Sequence, residues 1–571
     1  MEFSELIKTS YVDNVVLSRP FRPPVKGTLC VTSHHILLSS RQEREQDADL
    51  GPDEEEGDTL ELLLLLKGID AVEKSVENLI SYSGRPFRRS SQNDRSTGSY
   101  GTITIKCKDL CIFQLEIPGM TECLNIASSI EALSALESVT ELYPFFYRPE
   151  TMKIEQKIPQ DSSEELFGQI AHHADKWRLS SVNKDFSVCP TYPEAVIVPK
   201  QISDEVLMAA AKFRQGGRFP VLSYYHKKTG KVIMHSSQPL VGAQKKRCQE
   251  DEELLGAVLN NSERGFIVDT RSAQLAQQAR ITGGGFESKS NYHNWKRLHR
   301  NLERGKNLQE SLIKLVDACN DQTNNMDRWL SKLENSKWLS HVQSTLSTAC
   351  LVAECVEREG CPVLVHGSDG TDTTLLVTSL AQLVLDPECR TLVGFQALIC
   401  REWLQAGHPF QQRCTHLALS HARLRNEAPI FLLFLDCCWQ LHHQFPLAFQ
   451  FNETLLIRFA QEAYFSNFGT FLCDSEKDRY AFQVREKTFS FWDWMNNPAM
   501  LKTFTNPLYQ RNELVIWPSV WPHSLQLWQG FFFRWISCSK FVEEAQEEIQ
   551  RIVRHYSSCI KLNKKAALHD E

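Results

Sequence analysis

The chain has 571 residues, of which 42% are apolar and 23% charged, and a net charge of −7. That length exceeds one ordinary domain, and the balance is that of a globular protein rather than a disordered or membrane-spanning one. The charge excludes nucleic acid as a general partner, because binding a phosphate backbone needs a clustered excess of Lys and Arg.

From the N-terminus, residues 1–10 lack the charged-then-apolar order of a secretory signal, so a cytoplasmic chain is expected. Short strands are predicted at 14–17, 27–32, 35–39, 102–106 and 111–116, followed by a closing helix at 120–136. Two insertions interrupt them: an acidic run at 42–58 and a Ser/Arg/Gly-rich stretch at 85–101, both reading as mobile loops. The longest aliphatic runs, 62–66 and 431–435, fall far short of the roughly 20 residues that cross a bilayer.

Beyond residue 150 strand-like and helix-like segments alternate, the mark of an α/β domain. Strands are predicted at 195–198, 219–225, 231–235 and 265–269, and helices at 204–213, 308–318, 330–359, 374–385 and 461–465. The fold class is therefore α+β multidomain: an N-terminal β domain, a large α/β domain and a C-terminal helix. The 18 cysteines include no CxxC pair and read as reduced, mostly buried thiols. Cys438 and His442 stand one helical turn apart, as metal ligands often do, but their apolar neighbours and the lack of a second ligand pair favour a buried helix. No metal and no cofactor is expected.

The informative stretch is 361–385, CPVLVHGSDGTDTTLLVTSLAQLVL. A buried strand, a polar turn and a helix N-terminus converge backbone N–H groups and the helix dipole on one point, which makes an anion cradle. Cysteine phosphatases fill this geometry with His-Cys, five residues, then Arg: the thiolate attacks phosphorus, and the guanidinium fork stabilises the transition state. Here the order is His366, Gly367, Ser368, Asp369, Gly370, Thr371, Asp372, Thr373, so glycine stands at the nucleophile position and threonine at the arginine position. Ser368 and Thr373 are hydroxyls with no adjacent base, hence no catalytic residue is assigned. With two aspartates and no cation, the loop is expected to repel a phosphate.

These residues resemble the myotubularin family of phosphoinositide 3-phosphatases, whose active members carry HCSDGWDRT where this chain has HGSDGTDTT. Family-like segments also occur at 218–224 (RFPVLSY), 237–242 (SQPLVG), 265–271 (GFIVDTR), 283–287 (GGGFE), 402–413 (EWLQAGHPFQQR), 445–452 (FPLAFQFN), 468–472 and 528–535. VDNVVL, IKCKD, IPGM, LNIASSIEAL and ACNDQT followed by NMDRWLSKLE resemble a branch that lacks the catalytic cysteine. The resemblance implies a pleckstrin-homology-like GRAM domain over 1–140, a phosphatase domain over 150–532 and a coiled-coil-like helix over 540–565. It also implies that Asp372 stands where active members keep their general acid and Asp369 where they contact substrate. Without thiolate and guanidinium, both Asp side chains read as loop-folding residues that bond backbone N–H groups.

Val542, Ala545, Ile549, Ile552, Tyr556 and Cys559 recur at three- and four-residue steps, a short heptad seam or else an amphipathic helix docked on its own domain. By resemblance, inactive family members bind active myotubularin-related phosphatases as heterodimers, with self-association as the other pairing. The expected function is thus a pseudophosphatase adaptor on endosomal or endoplasmic reticulum membranes. The alternative is a module that binds phosphoinositide membranes through the GRAM domain, using Arg85, Arg88 and Arg89, although a solvated loop also explains those arginines.

Overall fold

The computed structural model describes residues 3–40, 59–77, 100–150, 166–168, 170, 175–259, 262–321, 325–420, 426–536 and 551–552. The acidic run at 42–58, Arg85, Arg88 and Arg89, and Val542, Ala545, Ile549, Tyr556 and Cys559 lie outside these residues.

Seven antiparallel strands open the chain: β1 (Tyr11–Ser18), β2 (Val25–Val31), β3 (His35–Ser40), β4 (Thr59–Leu65), β5 (Ile69–Glu77), β6 (Tyr100–Cys107) and β7 (Ile112–Pro118), in the order β4-β3-β2-β1-β7-β6-β5. Alternation sets which side faces inward, so Ile103 and Ile105 on β6 and Phe113, Leu115 and Ile117 on β7 share one buried face. Helix α1 (Met120–Ser134) covers that face with Cys123, Ile126, Ala127, Ile130 and Leu133, an apolar stripe at helical spacing. Its first turn comes so close to the sheet that a Cβ on Gly101 would lie 2.4 Å from Cys123 Sγ, so only glycine fits there.

The second part contains helices α2 (Met326–Ser336), α3 (Trp338–Glu357), α4 (Thr373–Leu385), α5 (Ile430–Gln444) and α6 (Glu453–Tyr464). Two departures from the sequence expectation concern them. The helix expected over 330–359 is two helices, because Lys337 adopts a left-handed φ of 60° and turns the chain so that the Trp338 ring is fully buried and its Nε1 donates to Asp436 at 2.7 Å. The helix expected at 461–465 begins earlier, where the Asn452 side chain caps Leu455 N–H.

The sheet of this part gathers β10 (Val221–His226), β11 (Lys231–Ser236), β12 (Gly265–Asp269), β13 (Trp295–His299) and β14 (Val363–His366) in the order β10-β11-β14-β12-β13, while β8 (Trp177–Ser180) and β9 (Val196–Pro199) form a separate pair. β14 is central and runs parallel to β11 and β12. Its alternation divides two cores: Val363 and Val365 face the large helical cluster, and Leu364 faces Leu255, Val258 and Trp295. All residues of α4 are buried, which fixes the loop between β14 and α4 at both ends.

The two parts are bolted together by a few polar contacts. Asp70, buried at the start of β5, accepts the backbone N–H groups of Leu417 (2.8 Å), Ala418 (3.1 Å), Leu419 (2.7 Å) and Ser420 (3.0 Å). Trp535 Nε1 and Arg534 donate to the carbonyl oxygen of Asp109 at 3.0 and 2.8 Å. A cavity of about 490 Å³ lies beside this junction, lined among others by Lys67, Tyr143, Gln411 and Phe465.

Candidate functional site

β14 delivers His366 to the end of the sheet, and α4 begins at Thr373, so 367–372 is the turn that the sequence predicts. Gly370, at φ 76°, lets the turn fold back against β11: a Cβ there would meet the Ser236 carbonyl oxygen at 2.5 Å. Among the described residues, no protein acceptor takes a backbone N–H from Ser368 through Thr373. The backbone half of an anion cradle is therefore in place.

The side-chain half is not. Gly367 leaves space that hydroxyls occupy: a Cβ at this position would lie 2.7 Å from Thr270 Oγ1, 3.4 Å from Thr373 Oγ1 and 3.5 Å from Thr374 Oγ1. Thr270 and Thr373 hydrogen-bond to each other through their hydroxyls at 2.7 Å, so the Thr373 side chain is engaged across the loop rather than extended toward a ligand. Neither hydroxyl has a base beside it.

His366 is held by a buried ionic chain. Its Nε2 lies 3.0 Å from Glu287 Oε2, and Glu287 Oε1 accepts from Arg214 at 2.7 Å. The other edge of the Arg214 guanidinium donates to Asp251 at 2.8 and 2.7 Å, and Tyr292 donates to the same carboxylate at 2.6 Å. Burial alone would raise the Glu287 carboxyl, but His366 and Arg214 outweigh it and hold it well below the usual carboxylate range. Burial likewise disfavours the Arg214 cation, and the charges of Asp251 and Glu287 reverse that effect and raise it. This chain locks the ring of His366 without presenting it to a substrate.

The electrostatic expectation needs correction. Arg413 donates to both oxygens of Asp372 at 3.1 and 3.0 Å, and Arg304 pairs with Asp369 at 3.4 Å, so cations from distant segments neutralise both loop carboxylates. Arg218 adds a donor to the Gly370 carbonyl oxygen at 2.9 Å and stacks over the Tyr192 ring at 4.4 Å. His408 Nδ1 donates to the Thr371 carbonyl oxygen at 2.8 Å and stands 3.4 Å from Asp372 Oδ1. Burial would raise Asp372, yet His408 and Arg413 hold its carboxyl well below the ordinary range. It is a fixed anion at neutral pH and a poor proton donor. Asp369, by contrast, is more than half exposed.

The structure thus brings His366 through Thr373 together, as the spacing requires. Sequence reasoning missed Arg413, His408, Glu287, Arg214 and Thr270. For Glu287, His408, Arg413 and Thr270 the only signal was membership in the segments GGGFE, EWLQAGHPFQQR and GFIVDTR, and Arg214 lies outside all of them, since nothing local ties any of the five to the loop. Of the heptad, only Ile552 is described; it is helical and 57% exposed. Cys437, Cys438 and Asp436 are buried within α5, and among the described residues no group of three or more His, Cys, Asp or Glu is placed to hold a metal ion. No helix among them is long and apolar enough to cross a membrane.

A central parallel strand, a tight turn and a buried helix N-terminus, with His before the turn, define a cysteine-phosphatase-type α/β domain. The family description "Myotubularin-like phosphatase domain" matches residues 142–480, so the chain belongs to the myotubularin family. It is 55% identical over 555 residues to the "Myotubularin-related protein 9" of Homo sapiens, covering 97% of this chain and 95% of that protein. The Caenorhabditis elegans protein of the same name is 37% identical over 540 residues, covering 94% and 91% of the two chains. The "Phosphatidylinositol-3-phosphate phosphatase MTMR7" of Homo sapiens is 35% identical over 518 residues, or 89% of this chain and 72% of that protein.

Proposed function

We propose that this chain is a catalytically inactive myotubularin that acts as an adaptor, binding active myotubularin-related phosphatases and adjusting their activity, stability or location. The observation that carries the reading is the pair Gly367 and Thr373: the loop has no thiol to attack phosphorus and no guanidinium to receive the charge. The bond between Thr270 and Thr373 and the fixed charge of Asp372 support it, since they leave neither a nucleophile nor an acid.

In this reading the N-terminal sheet with α1 is a pleckstrin-homology-like GRAM domain within 1–140, residues 150–532 are the phosphatase domain, and 540–565 is a helix that meets the partner. Ile552 is exposed in the lone chain, which favours a seam covered by a second chain over a helix docked on its own domain. The pathway is that of phosphatidylinositol 3-phosphate, the lipid in the name of the 35%-identical relative, and the place is the cytoplasmic face of endosomal or endoplasmic reticulum membranes.

The test is co-purification of the tagged chain with an active family member, for the wild type and for Ile549→Asp with Ile552→Asp. Loss of the partner from the variant supports the seam, and undiminished binding places the interface elsewhere. The membrane-recruitment alternative through Arg85, Arg88 and Arg89 concerns residues outside those described.

A further inference from the structure

The cavity of about 490 Å³ beside the junction is walled by both parts of the chain. The N-terminal sheet supplies Lys67, in the turn Leu66–Gly68 that joins β4 to β5, and the connection after α1 supplies Glu137 and Tyr143. From the second part come Phe410, Phe465, Phe468 and Phe471. Gly68 lets the turn press against this aromatic wall, since a Cβ there would lie 3.2 Å from the Phe465 ring. Phe410 and Phe471 pack edge to face at 5.1 Å and are buried, as is Phe468. Sites for small molecules are spaces of about 300–1,000 Å³ with mostly apolar, aromatic walls and a few placed polar groups, and this cavity has that size and lining.

One of its polar groups is a cation without a counter-ion. The Lys67 ammonium donates to the Leu136 carbonyl oxygen at 2.9 Å, and among the described residues no carboxylate forms an ion pair with it. Burial pulls its pKa down, and the charge of Glu137 only partly opposes that shift. A second ammonium repels it: that of Lys108, whose backbone N–H donates to the Gly68 carbonyl oxygen at 2.8 Å. Two other acids of the wall are already committed. Asp474 accepts the Gln412 backbone N–H at 3.1 Å and its Nε2 at 2.9 Å, and Glu462 takes Arg458 and Ser466. Glu137 is exposed, so water serves its carboxylate, whereas Lys67 is half-buried. The unmet charge of the cavity is therefore positive.

A single cation among phenylalanine rings selects a ligand by its charge and by its body. A polyphosphate or a phosphoinositide headgroup would bring several negative charges to one lysine and leave the rings unused. A cationic ligand would be repelled by Lys67, and a neutral apolar one would strip the ammonium of water and give nothing back. A monoanion on an apolar body meets both demands: its charge-assisted hydrogen bond replaces the solvation that Lys67 has lost, and its body covers the rings. We propose that this cavity binds a small amphipathic acid, a carboxylate or sulfonate on an aromatic or aliphatic body, with Lys67 holding the acid group and Phe410, Phe465, Phe468 and Phe471 the body. The occupant touches both parts of the chain and fastens them together. No residue of loop 367–372 lines the cavity, and the site does not rest on the adaptor reading.

The experiment is a fluorescence titration of the full chain with anilinonaphthalene sulfonate, an aromatic monoanion, and with phenylnaphthylamine, the same body without the sulfonate. It compares the wild type, Lys67→Met, Lys67→Arg and Thr415→Phe, the last of which fills the cavity from its wall. Melting curves without ligand check that each variant folds, and the two lysine variants keep the proposal testable should Thr415→Phe fail to. The expected result is one saturable site per wild-type chain, with the sulfonate bound about 10-fold or more tighter than the amine. The melting temperature rises with sulfonate concentration, because only the folded junction presents the site. Lys67→Met removes the advantage of the sulfonate and leaves the affinity for the amine as it was, Lys67→Arg keeps the advantage, and Thr415→Phe abolishes binding of both. A wild type without a saturable site, equal affinities for the two molecules, or a sulfonate advantage that survives Lys67→Met would overturn the proposal. Undiminished binding of both by a folded Thr415→Phe would overturn it as well and place the site elsewhere. None of these outcomes bears on co-purification with an active phosphatase, so the two readings fail separately.

Discussion

Placing a thiol back in the loop tests how far the site has moved from catalysis. Gly367→Cys puts a Cβ 2.7 Å from Thr270 Oγ1, closer than such atoms approach, so Thr270 has to rotate and give up its 2.7 Å bond with Thr373. Losing that bond costs about 1 kcal/mol and overfilling a packed site about 1–3 kcal/mol, so the variant is expected to be roughly 2–4 kcal/mol less stable than the wild type. The new sulfur would sit at the N-terminus of α4 above free N–H groups, and its thiol should titrate below the ordinary cysteine range. Reactivity without turnover is the expected outcome, because removing even one oxyanion donor typically costs about 100- to 1000-fold and here the guanidinium is absent altogether. The assays are calorimetric melting, the pH profile of iodoacetamide alkylation, and phosphate release from phosphatidylinositol 3-phosphate. Steady turnover by Gly367→Cys alone, abolished by alkylation, would refute the reasoning.

Asp70→Asn replaces one of two oxygens that together accept four backbone N–H groups, and should loosen the junction by roughly 2–4 kcal/mol, seen as a lower melting temperature and faster proteolysis. Burial, with repulsion from Lys67, pulls the Lys108 ammonium down to about 7. The folded state then binds fewer protons than the unfolded one between about pH 7 and 10, so wild-type stability rises with pH across that window. Lys108→Met should remove the slope and stabilise the chain near neutral pH by on the order of 3–5 kcal/mol, and a pH series of melting curves that kept the wild-type slope would contradict it. Asp372 is depressed in the folded state, so its contribution is present above the ordinary carboxylate pKa and lost as pH falls below it. Arg413→Gln should therefore cost roughly 2–4 kcal/mol at neutral pH and flatten the acid-side decline below about pH 4, as measured by urea unfolding.

What could be read from the sequence was local. The alternation in β6 and β7 and the loop spacing at His366 to Thr373 each lie within a few residues, and all are found where the pattern puts them. β4 was missed because its leucines face both ways: Leu62 and Leu64 pack on the core while Leu60 and Leu63 are exposed on the sheet edge, which erases the period-two signal. β13, with Lys296 and Arg297 on an edge strand, is too polar to announce itself. The charge around the loop was misjudged for a different reason. Arg413 lies 41 residues from Asp372, and Glu287 lies 79 from His366, so only the fold brings each to its partner.

The central claim is that this chain works by binding an active relative. Its most direct test is affinity purification of the tagged full chain from cells, with mass spectrometry of the eluate and a phosphatidylinositol 3-phosphate phosphatase assay on the eluate and on the chain expressed alone. The account predicts a catalytically intact myotubularin in the eluate, activity that follows it, and none in the lone chain. Turnover by the lone chain, or an eluate without any active family member, would contradict it.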